Sequence, residues 1–212
     1  LTKHKTLFFF GFVFVIALVI IIFSFLSPLV FLPHQRITII LPFSAADDAK
    51  TSLIPMGELI EHNAQNGNPD GHAGIDFGWG EKVAIIASHD GLITGVQNSS
   101  EGQNVTITNG YYKTVYKELF DLAPEIKLFA HIKQGDLIGY PKIQSIGGNM
   151  HGQLHWEFSS SSMLLDRLCP LGYFNNDSRI RIEKIWQAVP ANDRFKQEFP
   201  EICNGKFQGK ED

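Results

Sequence analysis

From residue 72 onward the chain breaks into short β-branched or apolar runs, separated by turn pairs that a strand cannot absorb. The runs occupy residues 82–88, 91–97, 103–108, 113–116 and 136–140, and the breaks include Asp90-Gly91, Asn109-Gly110 and Gly147-Gly148-Asn149. Helices need a sustained 3.6-residue period, whereas short runs between turn signals read as strands that fold back on their neighbours. The pattern predicts a mainly β fold, an antiparallel β-sandwich or a partly open barrel. A rough helical stripe is confined to residues 178–189, with Ile180, Ile182, Ile185, Trp186 and Val189, in a small C-terminal extension. Before residue 72, residues 37–43 read as a short β segment stopped by Pro42, residues 45–50 as a polar linker or helical turn, and residues 63–71 as a loop.

The N-terminal end has a different texture. Residues 7–32 are apolar except for Gly11, Ser24, Ser27 and Pro28, and about 20 such residues suffice for a membrane-spanning helix. A secretory signal has a shorter apolar region followed by a small-residue cleavage site. This run ends in Pro33-His34-Gln35-Arg36, which predicts an uncleaved N-terminal transmembrane helix. Lys3 and Lys5 before the run, against Arg36 after it, place residues 34–212 outside the cytoplasm. The expected location is a single pass through the inner or cytoplasmic membrane, with the C-terminal domain periplasmic or extracellular. An oxidising compartment permits the only two cysteines, Cys169 and Cys203, to pair; the alternative is two buried thiols. A formal net charge of -4 provides no basic surface for nucleic acid.

Two stretches carry the chemistry: Gly-His-Ala-Gly-Ile-Asp-Phe at 71–77 and Gln-Leu-His-Trp-Glu-Phe at 153–158. His72, Asp76 and His155 are the residue types of a three-ligand zinc site with a position left for water, the arrangement of a hydrolytic rather than a structural zinc. Alternation along a strand puts Gln153, His155 and Glu157 on one face and Leu154, Trp156 and Phe158 on the other. The glycines around His72 argue for a loop running into a strand rather than a helix.

These stretches resemble the two signatures of the lysostaphin-type, or LytM-domain, zinc metallopeptidases. Ala87-Ser88-His89-Asp90-Gly91-Leu92-Ile93 is similar to the family's alanine-rich strand and turn, and Gln134-Gly135-Asp136-Leu137-Ile138-Gly139 to its glycine-bearing hairpin. The resemblance covers residues 71–158. It implies a LytM-like fold, Zn2+ bound by His72, Asp76 and His155, and cleavage of peptide cross-links in bacterial peptidoglycan by zinc-activated water. Taken with the apolar N-terminal run, the expected organisation is a cytoplasmic stub (1–6), a transmembrane anchor (7–32), a linker and lead-in segment (33–70), a LytM-like peptidase domain (71–160) and a C-terminal extension (161–212). Ile54-Pro55-Met56-Gly57-Glu58-Leu59 in the lead-in segment either packs along the edge of the site or merely connects.

The chain departs from the family at both assisting histidines. Glu118, in Tyr116-Lys117-Glu118-Leu119, stands where a Tyr-x-His-Leu motif has histidine, and Gln153 replaces the first histidine of His-x-His. A carboxylate beside a zinc-bound water is the base of unrelated proteases carrying His-Glu-x-x-His, so Glu118 is the candidate base. The Gln153 amide is the candidate hydrogen-bond donor to a developing oxyanion. His131 lies too close to Gln134 to replace the lost histidine and reads as a surface hairpin residue. His151 is placed to lean in from a preceding loop, while His62 and His89 read as ordinary surface histidines. The alternative implied by the departures is a catalytically degenerate domain that binds peptidoglycan peptide or regulates a partner cell-wall hydrolase. A third reading has no zinc: a β-sandwich binding module with Trp79, Trp156 and Tyr140 stacking on sugars, or packing in the core.

Overall fold

A computed structural model describes residues 15–16, 35–57, 71–146, 149–161 and 167–205. The expected membrane span, residues 7–32, lies outside the described residues apart from Val15 and Ile16, as does His62. Among the described residues no helix is long and apolar enough to cross a membrane. Two compact units are distinguished, residues 1–35 and residues 36–212, and the second carries all that follows.

Its strands are β1 (Ser52–Ile54), β2 (Ile75–Trp79), β3 (Ile85–Ile86), β4 (Gly91–Asn98), β5 (Gln103–Asn109), β6 (Tyr112–Leu122), β7 (His131–Ile132), β8 (Leu137–Pro141), β9 (Ile143–Ile146) and β10 (Asn149–Ser160). All pair antiparallel in one sheet whose main path runs β1-β2-β10-β6-β5-β4-β7, with β8 joining β3 to β6 and β9 on β10. The mainly β, antiparallel prediction therefore holds, and the sheet is open rather than closed into a barrel.

Two long strands organise the sheet. On β10 the alternation runs as expected: Leu154, Trp156 and Phe158 are buried, with Trp156 and Phe158 packing among Phe77, Tyr112, Tyr173 and Phe174. The opposite face carries His151, Gln153, His155 and Glu157. Strand β6 is much longer than the run at 113–116, and it changes partners along its length. Its pairing with β10 ends at His155↔Lys117, after which Leu119 pairs with Pro141 of β8. Pairing on that side of β10 resumes at Gly152↔Ile143 of β9. The sheet thus forks at Glu118, leaving a gap bordered by Gln153 on one branch and the β8–β9 junction on the other.

The flanking segments complete the same core. Ile39, Leu41, Phe43, Leu53 and Met56 from before the motifs, and Leu168, Tyr173, Ile182, Ile185 and Trp186 from after them, belong to one buried apolar cluster with the sheet. Residues 37–43 form no strand; Ile39 makes a single parallel bridge to Phe174. Ala45–Lys50 is a 3₁₀ helix. Helix α1 (Asn176–Ala188) starts where Asn175 accepts a hydrogen bond from the Ser178 amide, which satisfies one of the open donors of a first turn. Ser178 Oγ in turn accepts from the Leu41 amide at 3.1 Å, pinning the N-terminal segment to the helix. Of the expected stripe, Ile182, Ile185 and Trp186 are buried, but Ile180 is exposed. Only one side of α1 meets the sheet, and Ile180 falls off it. Helix α2 (Arg194–Glu198) follows, and a Cys169–Cys203 disulfide ties the extension together.

Candidate metal centre and adjoining cleft

Ordinary strand pairing brings the expected ligands together. Asp76 and His155 are directly opposite each other in the β2–β10 register, so their side chains share a face, and His155 Nδ1 lies 2.7 Å from Asp76 Oδ1. His72 precedes β2 and is buried, its backbone paired with Gly57 in both directions. Its ring Nδ1 lies 2.7 Å from the Pro55 carbonyl oxygen, which only a protonated nitrogen can satisfy. That leaves Nε2 facing inward, 3.0 Å from Asp76 Oδ1 and 3.2 Å from His155 Nδ1. The lead-in segment therefore does line the edge of the site. One ligand atom from each of His72, Asp76 and His155 lies within 4.8 Å of the others.

The electrostatics of this cluster are those of a cation site. Burial alone would raise the Asp76 carboxyl, but the hydrogen bond from His155 and the contact with the His72 ring outweigh it and hold the acid well below the usual carboxylate range. Burial would lower His155, yet its bonds to Asp76 and Glu157 lift it to about 9. A proton on His155 thus takes the place of the positive charge that a metal would bring, and metal binding has to displace it. Two imidazoles and a carboxylate, converging with one tautomer already set by a backbone carbonyl, form a donor set that fits Zn2+.

Gln153, two residues before His155 on the same face, points its amide nitrogen at Asp76 Oδ2 (3.1 Å) and at Glu118 Oε1 (3.4 Å). Both amide hydrogens are therefore directed at carboxylates. Before Gln153 can steady an oxyanion, as the sequence leads one to expect, it has to release one of them.

Glu118 sits at the fork with φ of 68°, a left-handed backbone that costs a non-glycine residue about 1–2 kcal/mol. Its neighbours leave it no alternative. The Lys142 amide donates to its carbonyl at 3.0 Å, and Gly102 packs so close that an added Cβ would lie 3.0 Å from the Glu118 carbonyl carbon and 2.6 Å from the Leu119 oxygen. Burial, and then the nearby Asp76 charge, push the Glu118 carboxyl up to about 7. A cavity of about 330 Å³ lies elsewhere, beside Ile93, His131 and Leu137, but the one at the fork measures about 310 Å³. The fork cavity is lined by Glu101, Glu118, Lys142, Gln144, His151 and Gln153.

The other histidines divide. His151 is on β10 itself rather than in a loop before it, and it faces the cavity. His131 is exposed. His89 is not a surface residue: it is buried, with Nδ1 2.7 Å from the Asp90 carbonyl oxygen and Nε2 3.0 Å from Thr114 Oγ1. The turn motif tucks it under β6, and burial lowers its pKa despite the Asp90 carbonyl. Trp79 and Trp156 are 2% and 1% exposed and offer no open face to a sugar, while the Tyr140 ring carries the Lys82 ammonium over one face at 4.2 Å. Lys142, Gln144 and Glu101 border the cavity without any local sequence signal, because only the fork brings them there.

Against known proteins, the model of Peptidase family M23 matches residues 70–167. No curated protein matches. Among solved structures, Helicobacter pylori Csd3 is 18% identical with a TM-score of 0.48, over 77% of this chain and 44% of that one. A zinc-containing peptidase from Vibrio cholerae is 22% identical with a TM-score of 0.44, over 57% of this chain and 36% of that one. Lysostaphin from Staphylococcus simulans is 23% identical with a TM-score of 0.37, over 45% of this chain and 39% of that one. The chain thus spans less than half the length of these three. The stretch that matches the model of Peptidase family M23, residues 70–167, is the one in which His72, Asp76 and His155 converge.

Proposed function

We propose that this protein is a membrane-anchored zinc metallopeptidase that cuts peptide cross-links of bacterial peptidoglycan, with its C-terminal domain periplasmic or extracellular. The observation that carries the reading is Glu118: a half-buried carboxylate raised to about 7, held in a costly backbone beside the His72, Asp76 and His155 cluster. Strained backbone that the surroundings enforce is a mark of functional positions, and a base with a pKa near the working pH is the efficient choice.

Zinc held by His72 Nε2, Asp76 and His155 Nδ1 would supply Lewis acidity, acidifying a water and polarising the scissile carbonyl. Glu118 takes the proton of the attacking water and later gives it to the leaving amine. As Glu118 is protonated it loses the charge that draws the Gln153 amide, and its contact is already the longer of the two. The amide hydrogen freed in this way turns to the developing oxyanion. The fork cavity accepts the peptide on the Glu118 side.

The degenerate reading keeps the zinc and the cavity but cuts no bond, the domain instead binding cell-wall peptide or a partner hydrolase. What favours it is Gln153, whose hydrogens are both engaged and which transfers no proton. Release of soluble fragments from purified peptidoglycan by the freshly purified, zinc-loaded full chain decides between them. Release supports the enzyme. No release from the wild type, with release gained in the Glu118→His, Gln153→His double variant, supports the degenerate domain.

A further inference from the structure

Behind His155, on the side away from Asp76, lies a buried carboxylate that neither the ligand set nor the proposed chemistry uses. Glu157 is 3% exposed. Its Oε1 lies 3.1 Å from His155 Nε2 and 2.5 Å from Lys117 Nζ, and its Oε2 lies 3.1 Å from the Arg167 guanidinium. Glu157 therefore occupies the one ring nitrogen of His155 that does not face Asp76 and His72. The backbone leaves room for this contact at Gly74, between the two first-motif ligands: a Cβ there would lie 3.0 Å from His155 Nε2, 3.1 Å from Glu157 Cγ and 2.6 Å from the Trp156 carbonyl oxygen. Gly74 is thus kept small first by the Trp156 carbonyl and then by the paired His155 and Glu157 side chains.

Resting on the zinc site proposed above, we infer that Glu157 is a positioning residue that fixes the proton of His155 on Nε2 and so presents Nδ1 to the metal, with Lys117 and Arg167 holding the carboxylate in place. An imidazole that donates to a carboxylate through its outer nitrogen is a stronger and better oriented ligand through the other. The same face of the sheet therefore carries two carboxylates of different use, Asp76 on β2 and Glu157 on β10. Asp76 meets the metal side of the ring and Glu157 its back. Lys117, the neighbour of Glu118 on β6, links the back of the ligand to the strand that carries the proposed base.

The test is zinc affinity, measured by chelator competition on the full chain, with the His155 Nε2 proton followed by NMR in the zinc-free protein. Glu157→Gln keeps the shape but removes the charge, and zinc binding is expected to weaken by about 10–100-fold. Lys117→Met removes a half-exposed partner of the same oxygen without touching the ring, and the change expected is about fivefold or less. In the zinc-free wild type the Nε2 proton is expected far downfield, moving upfield in Glu157→Gln and not in Lys117→Met. Unchanged zinc affinity in Glu157→Gln, or an equal loss in Lys117→Met, overturns the inference. If the wild type itself takes up no zinc, the metal-site reading fails, and the Nε2 proton alone decides whether Glu157 orients the ring.

Discussion

The ligand cluster and the cleft beside it are built in opposite ways. Asp76 and His155 face each other because β2 and β10 pair in regular register, and His72 is held by two backbone hydrogen bonds to Gly57 and one ring contact to Pro55. Nothing there runs against local preference. Glu118, a few ångströms away, occupies the point where β6 leaves β10, in a left-handed backbone with a carboxyl that burial drives toward neutrality. Ordinary backbone pairing therefore suffices to assemble the proposed metal donors, whereas the proposed base is kept in place at a cost to stability.

Substitutions sharpen the contrast, beginning with the largest effect. His155→Ala removes a ligand at the centre of the regular region, and it is expected to abolish both zinc uptake and fragment release, as read by metal analysis and a peptidoglycan assay. Trp156→Ala empties the buried side of the ligand strand and is expected to cost about 3–5 kcal/mol in urea unfolding. At the fork the sign reverses. Glu118→Gly relieves the left-handed backbone and is expected to stabilise the protein by about 1 kcal/mol while eliminating release; a loss of stability would show that the fork is not strained.

The smallest expected effect is on pH dependence. Glu118 has its pKa raised from 4.5 to about 7 in the folded chain, so between those values the folded state holds a proton that the unfolded state has released. Stability conferred by that proton is fully present below about 4.5 and lost as pH rises through about 7. Denaturant titrations of the zinc-free protein are expected to show this decline in the wild type and a shallower one in Glu118→Gln. Parallel profiles would mean that the carboxyl is not buried as described.

The sequence was informative wherever the signal was local. Turn pairs delimited the strands, the two-residue period on β10 put Gln153, His155 and Glu157 on one face, and the motif pair brought His72, Asp76 and His155 into one set. It was silent where distant segments meet. No pattern in Tyr116-Lys117-Glu118-Leu119 announces a fork, because the fork results from β8 taking over the edge of β6 from β10 while β9 takes over the same edge of β10. Glutamate is also an unusual occupant of a left-handed backbone, so its conformation could not be read from its type. His89 read as exposed because the turn that buries it is polar, and residues 37–43 read as a strand because their apolar run, which joins the core through Ile39, Leu41 and Phe43, has the composition of one. The surroundings of the back of His155 are equally non-local, since Lys117 and Arg167 reach Glu157 from other parts of the chain.

The most direct test of the account is to measure zinc content and peptidoglycan release on one preparation of Glu118→Gln beside the wild type. The account predicts an unchanged zinc content, with release reduced by about 10²–10⁴-fold, the usual effect of losing a general base. Release that survives the substitution, with zinc in place, would contradict it.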